Sequence, residues 1–263
     1  MISLLVAAAL AGPCDETPLA TGPVEVGMRD GALGDAHRAC PRTEVGIAGH
    51  ALLLDDTVNN NVYGQIQLQG TLDGSLMVSD RTELLLRVEA FRQQQTISLV
   101  GSTYTGLGHT SLGVSTLLVD GEDGQLAWTS RLVLPTAFGL YGNQWPLAAQ
   151  TGVFAQRALS SKLFVHGALT GIASIGMGRG PKQARAGLTP LVGVELRASE
   201  HFGAVLDLEA SALYEAPLEY VAPKISLRGA FGRYGIQLDA LLPLAGPTPR
   251  PLAVAQLRFT GRI

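Results

Sequence analysis

The stretch FGAVLDLEASALYE, residues 202–215, has a two-residue period. Val205, Asp207, Glu209 and Ser211 fall on one parity, and Ala204, Leu206, Leu208, Ala210 and Ala212 on the other. A β-strand turns successive side chains to opposite faces, so this segment has one polar and one apolar face. Which face lies inside is the question that decides the fold, and the rest of the chain supplies the answer.

From about residue 43 onward the same two-residue period recurs. YGQIQLQGTLDGSLMV (63–78) sets Gln65, Gln67, Gln69 and Thr71 against Ile66, Leu68, Leu72, Leu76 and Val78. TELLLRVEAF (82–91) sets Glu83, Arg87 and Glu89 against Leu84, Leu86, Val88 and Ala90. KISLRGAF (224–231) and LAVAQLRFTGRI (252–263) repeat the pattern, and helical periodicity is scarce throughout. No internal repeat of fixed period stands out.

The connections carry the stronger signal. Short turns, SDR at 79–81, DGEDG at 120–124, LSS at 159–161, ASEH at 198–201 and FGR at 231–233, alternate with mostly longer segments at 55–62, 93–109, 135–149, 176–185, 215–219 and 243–251. This spacing predicts about twelve antiparallel strands with both ends of the patterned region on the short-turn side, the layout of an outer-membrane barrel. TISLVGSTYTG (96–106) is read as structured loop, because counting it as a further strand would reverse the loop lengths of the first part of the chain. The expected fold is an all-β, antiparallel up-and-down transmembrane β-barrel over 43–263, with the charged parity inward.

Composition agrees. Charged residues make up 16% and hydrophobic residues 46% of the 263, against about 25% charged in ordinary soluble domains. Net charge is −3 with no basic run, which excludes nucleic acid as the expected partner. MISLLVAAALAGPCDE opens with an apolar run of signal-peptide length and an Ala9-Leu10-Ala11 cleavage motif, so residues 1–11 are expected to be a signal peptide. The run lacks the usual Lys or Arg, and an apolar first strand is the alternative. Residues 12–42 form a periplasmic segment, with Cys14 and Cys40 as candidates for a disulfide. Free thiols, or a lipid anchor at Cys14, remain open, although Pro13 disfavours the anchor.

GHTSLGVSTLLVDGEDGQLAWTSRLVLPTA (108–137), with its Gly-led strand, acidic turn and Leu-Pro strand end, resembles a hairpin of bacterial outer-membrane barrels of the transporter type, relatives of hydrocarbon and aromatic-compound uptake channels. SDRTEL and SEHFGAVL resemble the polar strand starts of such proteins. The resemblance spans roughly residues 62–263 at the level of pattern and implies a Gram-negative outer-membrane location. It also implies contact with outer-membrane lipid and the assembly machinery, and passage of a small solute. The chain departs from these proteins in its short N-terminal segment and in ending on Ile263 instead of an aromatic residue.

No catalytic constellation is present, so the chain reads as a protein without enzymatic activity, cofactor or metal. His37, His50, His109, His166 and His201 are dispersed, GMGRGPK (176–182) lacks the Lys-Ser/Thr end of a phosphate loop, and Asp55-Asp56 near Asn59 to Asn61 reads as a polar turn. The candidate lumen-lining residues are Glu83, Arg87, Glu89, Arg131, His166, Glu195, Arg197, Asp207, Glu209, Lys224, Arg228, Asp239 and Arg258. Their charges balance, which suits a narrow path for a small neutral or amphipathic solute more than an ion-selective ring. Tyr104, Tyr141 and Trp145 are the candidate gate, on the external loops 93–109 and 135–149. Two alternatives stand beside a channel: a closed anchoring barrel that binds a protein partner, and a soluble exported ligand-binding barrel.

Overall fold

The computed structural model describes residues 40–58, 61–97, 103–121, 124–136, 145–177, 184–199, 201–213, 220–244 and 250–263. Among them run β1 (Glu44–Val58), β2 (Asn61–Ser79), β3 (Thr82–Ile97), β4 (Thr103–Gly106), β5 (Thr110–Asp120), β6 (Gly124–Leu134) and β7 (Trp145–Ala158). There follow β8 (Leu163–Met177), β9 (Ala184–Arg197), β10 (Phe202–Leu213), β11 (Tyr220–Phe231), β12 (Tyr234–Leu241) and β13 (Arg250–Arg262). Successive strands pair antiparallel, except that β4 and β5 both pair with β3, and β1 pairs with both β2 and β13, so the sheet closes on itself. Closure removes the free edges that an open sheet would expose.

Although thirteen segments are named, they occupy twelve positions around the barrel. β4 and β5 lie on the same side of β3, facing Arg92–Gln95 and Thr82–Val88 respectively. Between them, Glu89 N–H donates to His109 O and Gly108 N–H to Glu89 O, both at 2.9 Å. Residues 103–120 are thus one barrel strand interrupted at 107–109.

The outward face is apolar. Leu206, Leu208, Ile225, Leu227, Leu238 and Leu257 project from the wall, while Asp207, Lys224, Ser226, Asp239 and Gln256, one position along, are buried inside. A soluble barrel would have these faces reversed, because apolar side chains gain by leaving water. At the short-turn end Phe202 and Phe231 meet edge to face at 5.6 Å, with Tyr234 exposed beside Phe231 in sequence register. Aromatic residues at this level suit the headgroup layer.

Two expected loops are mainly strand. β1 and β2 remain paired as far as Val58↔Asn61, so 55–58 and 61–62 belong to strands. The loop expected at 93–109 contains the end of β3 and all of β4, and the one expected at 135–149 gives up Trp145–Ala149 to β7. TISLVGSTYTG contributes paired backbone at 96–97 and 103–106. The alternating pattern fades here because a strand end that projects beyond the lipid has water on its outer face, while its hydrogen-bond ladder continues.

Candidate functional site

The inward side chains form rows that follow the strand register. One row runs His166, Gly193, Asp207, Lys224 from β8 to β11. Gly193 has no side chain, so His166 and Asp207 meet across it: Nε2–H donates to Asp207 Oδ1 at 2.7 Å, and Lys224 Nζ lies 2.8 Å from Oδ2. A Cβ on Gly193 would stand 2.0 Å from that Oδ1 and 2.6 Å from His166 Nε2. The glycine is therefore part of the cluster. Phe154 flanks the imidazole, ring centroids 5.8 Å apart.

The same row continues through Leu241, Val254 and Leu52, which pack with Ala222 into an apolar patch inside the barrel. The adjacent row carries Glu195, Val205, Ser226, Asp239, Gln256, His50 and Gln69. Gln237 Nε2 donates to both oxygens of Asp239, at 2.8 and 2.9 Å. Glu195 accepts from Arg197 Nε at 2.9 Å and Arg228 Nη1 at 3.3 Å, and the Arg197 guanidinium stacks 3.8 Å over the Phe164 ring. Nearer the short turns, Asp73 accepts from Arg87 Nε at 2.5 Å and faces Arg258 Nη2 at 3.3 Å. Glu83 accepts the backbone N–H of Arg42 at 2.9 Å.

All thirteen residues expected to line the lumen sit on the inward face, Arg131 and Glu209 among them, and their acids and bases largely interleave. Several neutral side chains remain with unpartnered buried atoms: Ser226 Oγ, both amide atoms of Gln69 and Gln256, and Gln67 Nε2. A buried polar atom without a partner costs about 1–3 kcal/mol. These positions form a stripe that a hydrogen-bonding molecule would satisfy.

No family model and no curated protein matches the sequence. Solved structures do match the fold. The KdgM porin in complex with disordered oligogalacturonate superposes with a TM-score of 0.54 at 9% identity, covering 83% of this chain and 99% of that one. The transport unit of the autotransporter AIDA-I from Escherichia coli gives 0.53 at 12% identity, over 84% and 90% of the two chains. The NanC porin gives 0.51 at 6% identity, over 84% and 99%. The chain has the fold of outer-membrane β-barrels.

Within this barrel the candidate gate is described only in part. Tyr104 lies in β4 and Trp145 opens β7, so both are on strand backbone instead of free loop, and Tyr141 lies outside the described residues. Cys14 also lies outside them, while Cys40 is buried and accepts from Gln125 Nε2 at 3.2 Å, from the far side of the short-turn mouth. The Asp55-Asp56 and Asn59–Asn61 side chains, and most of GMGRGPK, fall outside the described set too.

Asp73, Arg92 and Glu44 are inward residues that parity reading missed. Asp73 shares parity with Thr71 in the segment 63–78 but is not among the residues expected to line the lumen. Arg92 is on the wrong parity because Ala90 is an extra residue: Thr71 pairs with Glu89 and Gly70 with Phe91, and this bulge turns Phe91 outward and Arg92 inward. Arg92 then binds the Glu89 carboxylate, with Nη2 to Oε2 at 2.7 Å, and the same oxygen accepts His109 N–H at 3.1 Å. The carboxylate fills the space beside Gly108, where a Cβ would stand 1.8 Å from Oε2. Gly108→Ala is expected to displace this carboxylate and lower barrel stability by about 1–3 kcal/mol, the cost of leaving buried polar groups unpaired. Urea titration of the folded protein in lipid vesicles reads the loss; an unchanged midpoint would mean that Glu89 does not brace the strand interruption.

Proposed function

We propose that the protein is a passive channel or transporter of the Gram-negative outer membrane for a small neutral or amphipathic solute. The observation that carries this reading is the make-up of the inward face. Around the middle of the barrel Asp207 is paired with His166 and Lys224, whereas Gln67, Gln69, Gln256 and Ser226 keep unpartnered hydrogen-bonding atoms next to the apolar patch of Leu52, Ala222, Leu241 and Val254. An uncharged or amphipathic molecule can use both features, while a free ion meets charges of both signs at this level of the barrel.

In this reading residues 1–11 are removed as a signal peptide and 12–42 remain periplasmic, with Cys14 and Cys40 joined. Both termini then face the periplasm, the outward Leu and Phe side chains meet outer-membrane lipid, and the assembly machinery inserts the barrel. External loops, with Tyr104, Tyr141 and Trp145 nearby, gate the path. No catalysis is assigned.

A second reading is favoured by the dense interior. Arg92, Gln67, Glu83 and Glu89 are among the largest fully buried side chains, as a closed barrel that serves as an anchor for a protein partner would require. Planar-bilayer recording separates the two. The channel reading predicts discrete conductance steps from the pure protein, together with solute entry in a liposome-swelling assay. A folded barrel that shows neither would favour the closed anchor.

A further inference from the structure

At the short-turn mouth the inner wall of β11, β12, β13 and β1 is nearly bare. Ala230, Gly235, Thr260 and Gly46 follow one another along a single row. None of them projects a bulky side chain, so the row forms a shelf. Around it a pocket is lined by Arg42, Arg228, Arg233, Arg258 and Arg262, with Glu44 as the one carboxylate in the lining. In this lining guanidinium groups outnumber carboxylates.

Two of these arginines are buried and only partly used. Arg228 gives Nη1 to Glu195, but its Nε and Nη2 have no partner. Arg258 Nη2 faces Asp73 Oδ2, but its Nε is unpartnered and lies 3.5 Å from where a Cβ on Gly46 would stand, which aims it over the shelf. A buried guanidinium N–H is costly to leave unpaired, and its planar fork matches a carboxylate or phosphate. The small residues leave room for such a group to approach.

We propose that this shelf is a binding site for a small soluble anion, a carboxylate or a phosphate ester, held by Arg228 and Arg258 from inside and by Arg233 and Arg262 from the rim. The shelf residues lie on the inward parity of their strands, and titration in detergent without phospholipid tells a soluble anion from a bilayer headgroup. It differs from the carboxamide stripe and does not depend on passage of a solute. Failure to conduct would therefore leave the site standing, and failure to bind anions would leave the channel reading standing.

The test is calorimetric titration of the full-length protein, folded in a non-ionic detergent at low ionic strength, with inorganic phosphate and with glutarate. Saturable binding of at least one anion is expected. Thr260→Glu supplies a carboxylate within the shelf and is expected to weaken binding by about tenfold or more, since a charged hydrogen bond is worth about 1.5–3 kcal/mol. The double variant Arg233→Ala/Arg262→Ala, at two exposed positions, is expected to weaken it in the same direction. Heat-modifiable gel mobility confirms that each variant is folded. Absence of binding by both anions to the folded barrel, or equal binding by wild type and both variants, would overturn the proposal.

Discussion

Leu208→Arg is expected to lower the stability of the membrane-inserted barrel by about 2–4 kcal/mol, the cost of a cation on the lipid face near the midplane. Leu208 lies mid-way along β10 and is 49% exposed on the outer wall, between the inward-facing Asp207 and Glu209. Tyr234→Arg places the same charge on the outer wall at the first residue of β12, beside the short turn. There the expected loss is only about 0–1 kcal/mol, because the side chain reaches water. Urea-induced unfolding from phospholipid vesicles compares the two, with Leu208→Phe as a size control of little effect. Equal losses at both positions would show that depth in a bilayer is not what these residues experience.

Gly193→Ala is expected to cost about 3–5 kcal/mol, the range found when one partner of a buried ion pair is taken away. The new Cβ would occupy the gap through which His166 reaches Asp207, and Leu206 O, 2.9 Å away, closes the escape on the third side. Displacing the Asp207 carboxylate also separates it from Lys224 and leaves a buried ammonium without its counter-charge. The effect belongs to the cluster, so it is non-additive. In Asp207→Asn, the added Gly193→Ala substitution is expected to cost markedly less than in the wild type. Full additivity in this double-mutant cycle would mean that Gly193 serves only the local backbone.

This cluster shows what a linear reading can and cannot reach. The alternation of FGAVLDLEASALYE placed Asp207 and Glu209 on one face, and loop lengths together with strand count favoured the polar face as the inside. His166 and Lys224 were legible as inward for the same reason. Gly193 was not, since a glycine in LVGVELR shows no side chain to classify, and only the pairing of β8, β9 and β10 reveals that the space it leaves joins two others. Arg92 was hidden by a bulge that shifts parity by one residue. The ends of β1, β2 and β3 were hidden by polar residues such as Asp55, Asp56 and Gln93 to Gln95, which read as loop although the backbone stays paired. Alternation records what each face touches, and hydrogen-bond pairing continues where both faces touch water.

The arginine shelf follows the same logic. Arg228 and Arg258 were recognisable as inward residues of two separated segments, and their signs were balanced by acids elsewhere in the sequence. Only register shows that their rows adjoin Gly46, Gly235 and Thr260, leaving the guanidinium groups beside an empty wall.

The most direct test of the central claim, that the apolar face meets lipid and the charged face lies within, is membrane fractionation of the expressed protein combined with gel mobility before and after boiling. Recovery in the outer-membrane fraction and a compact band that shifts when boiled are expected. A soluble protein with no such shift would contradict it, turning the barrel inside out and moving Asp207, Lys224 and Asp239 to the water-facing surface.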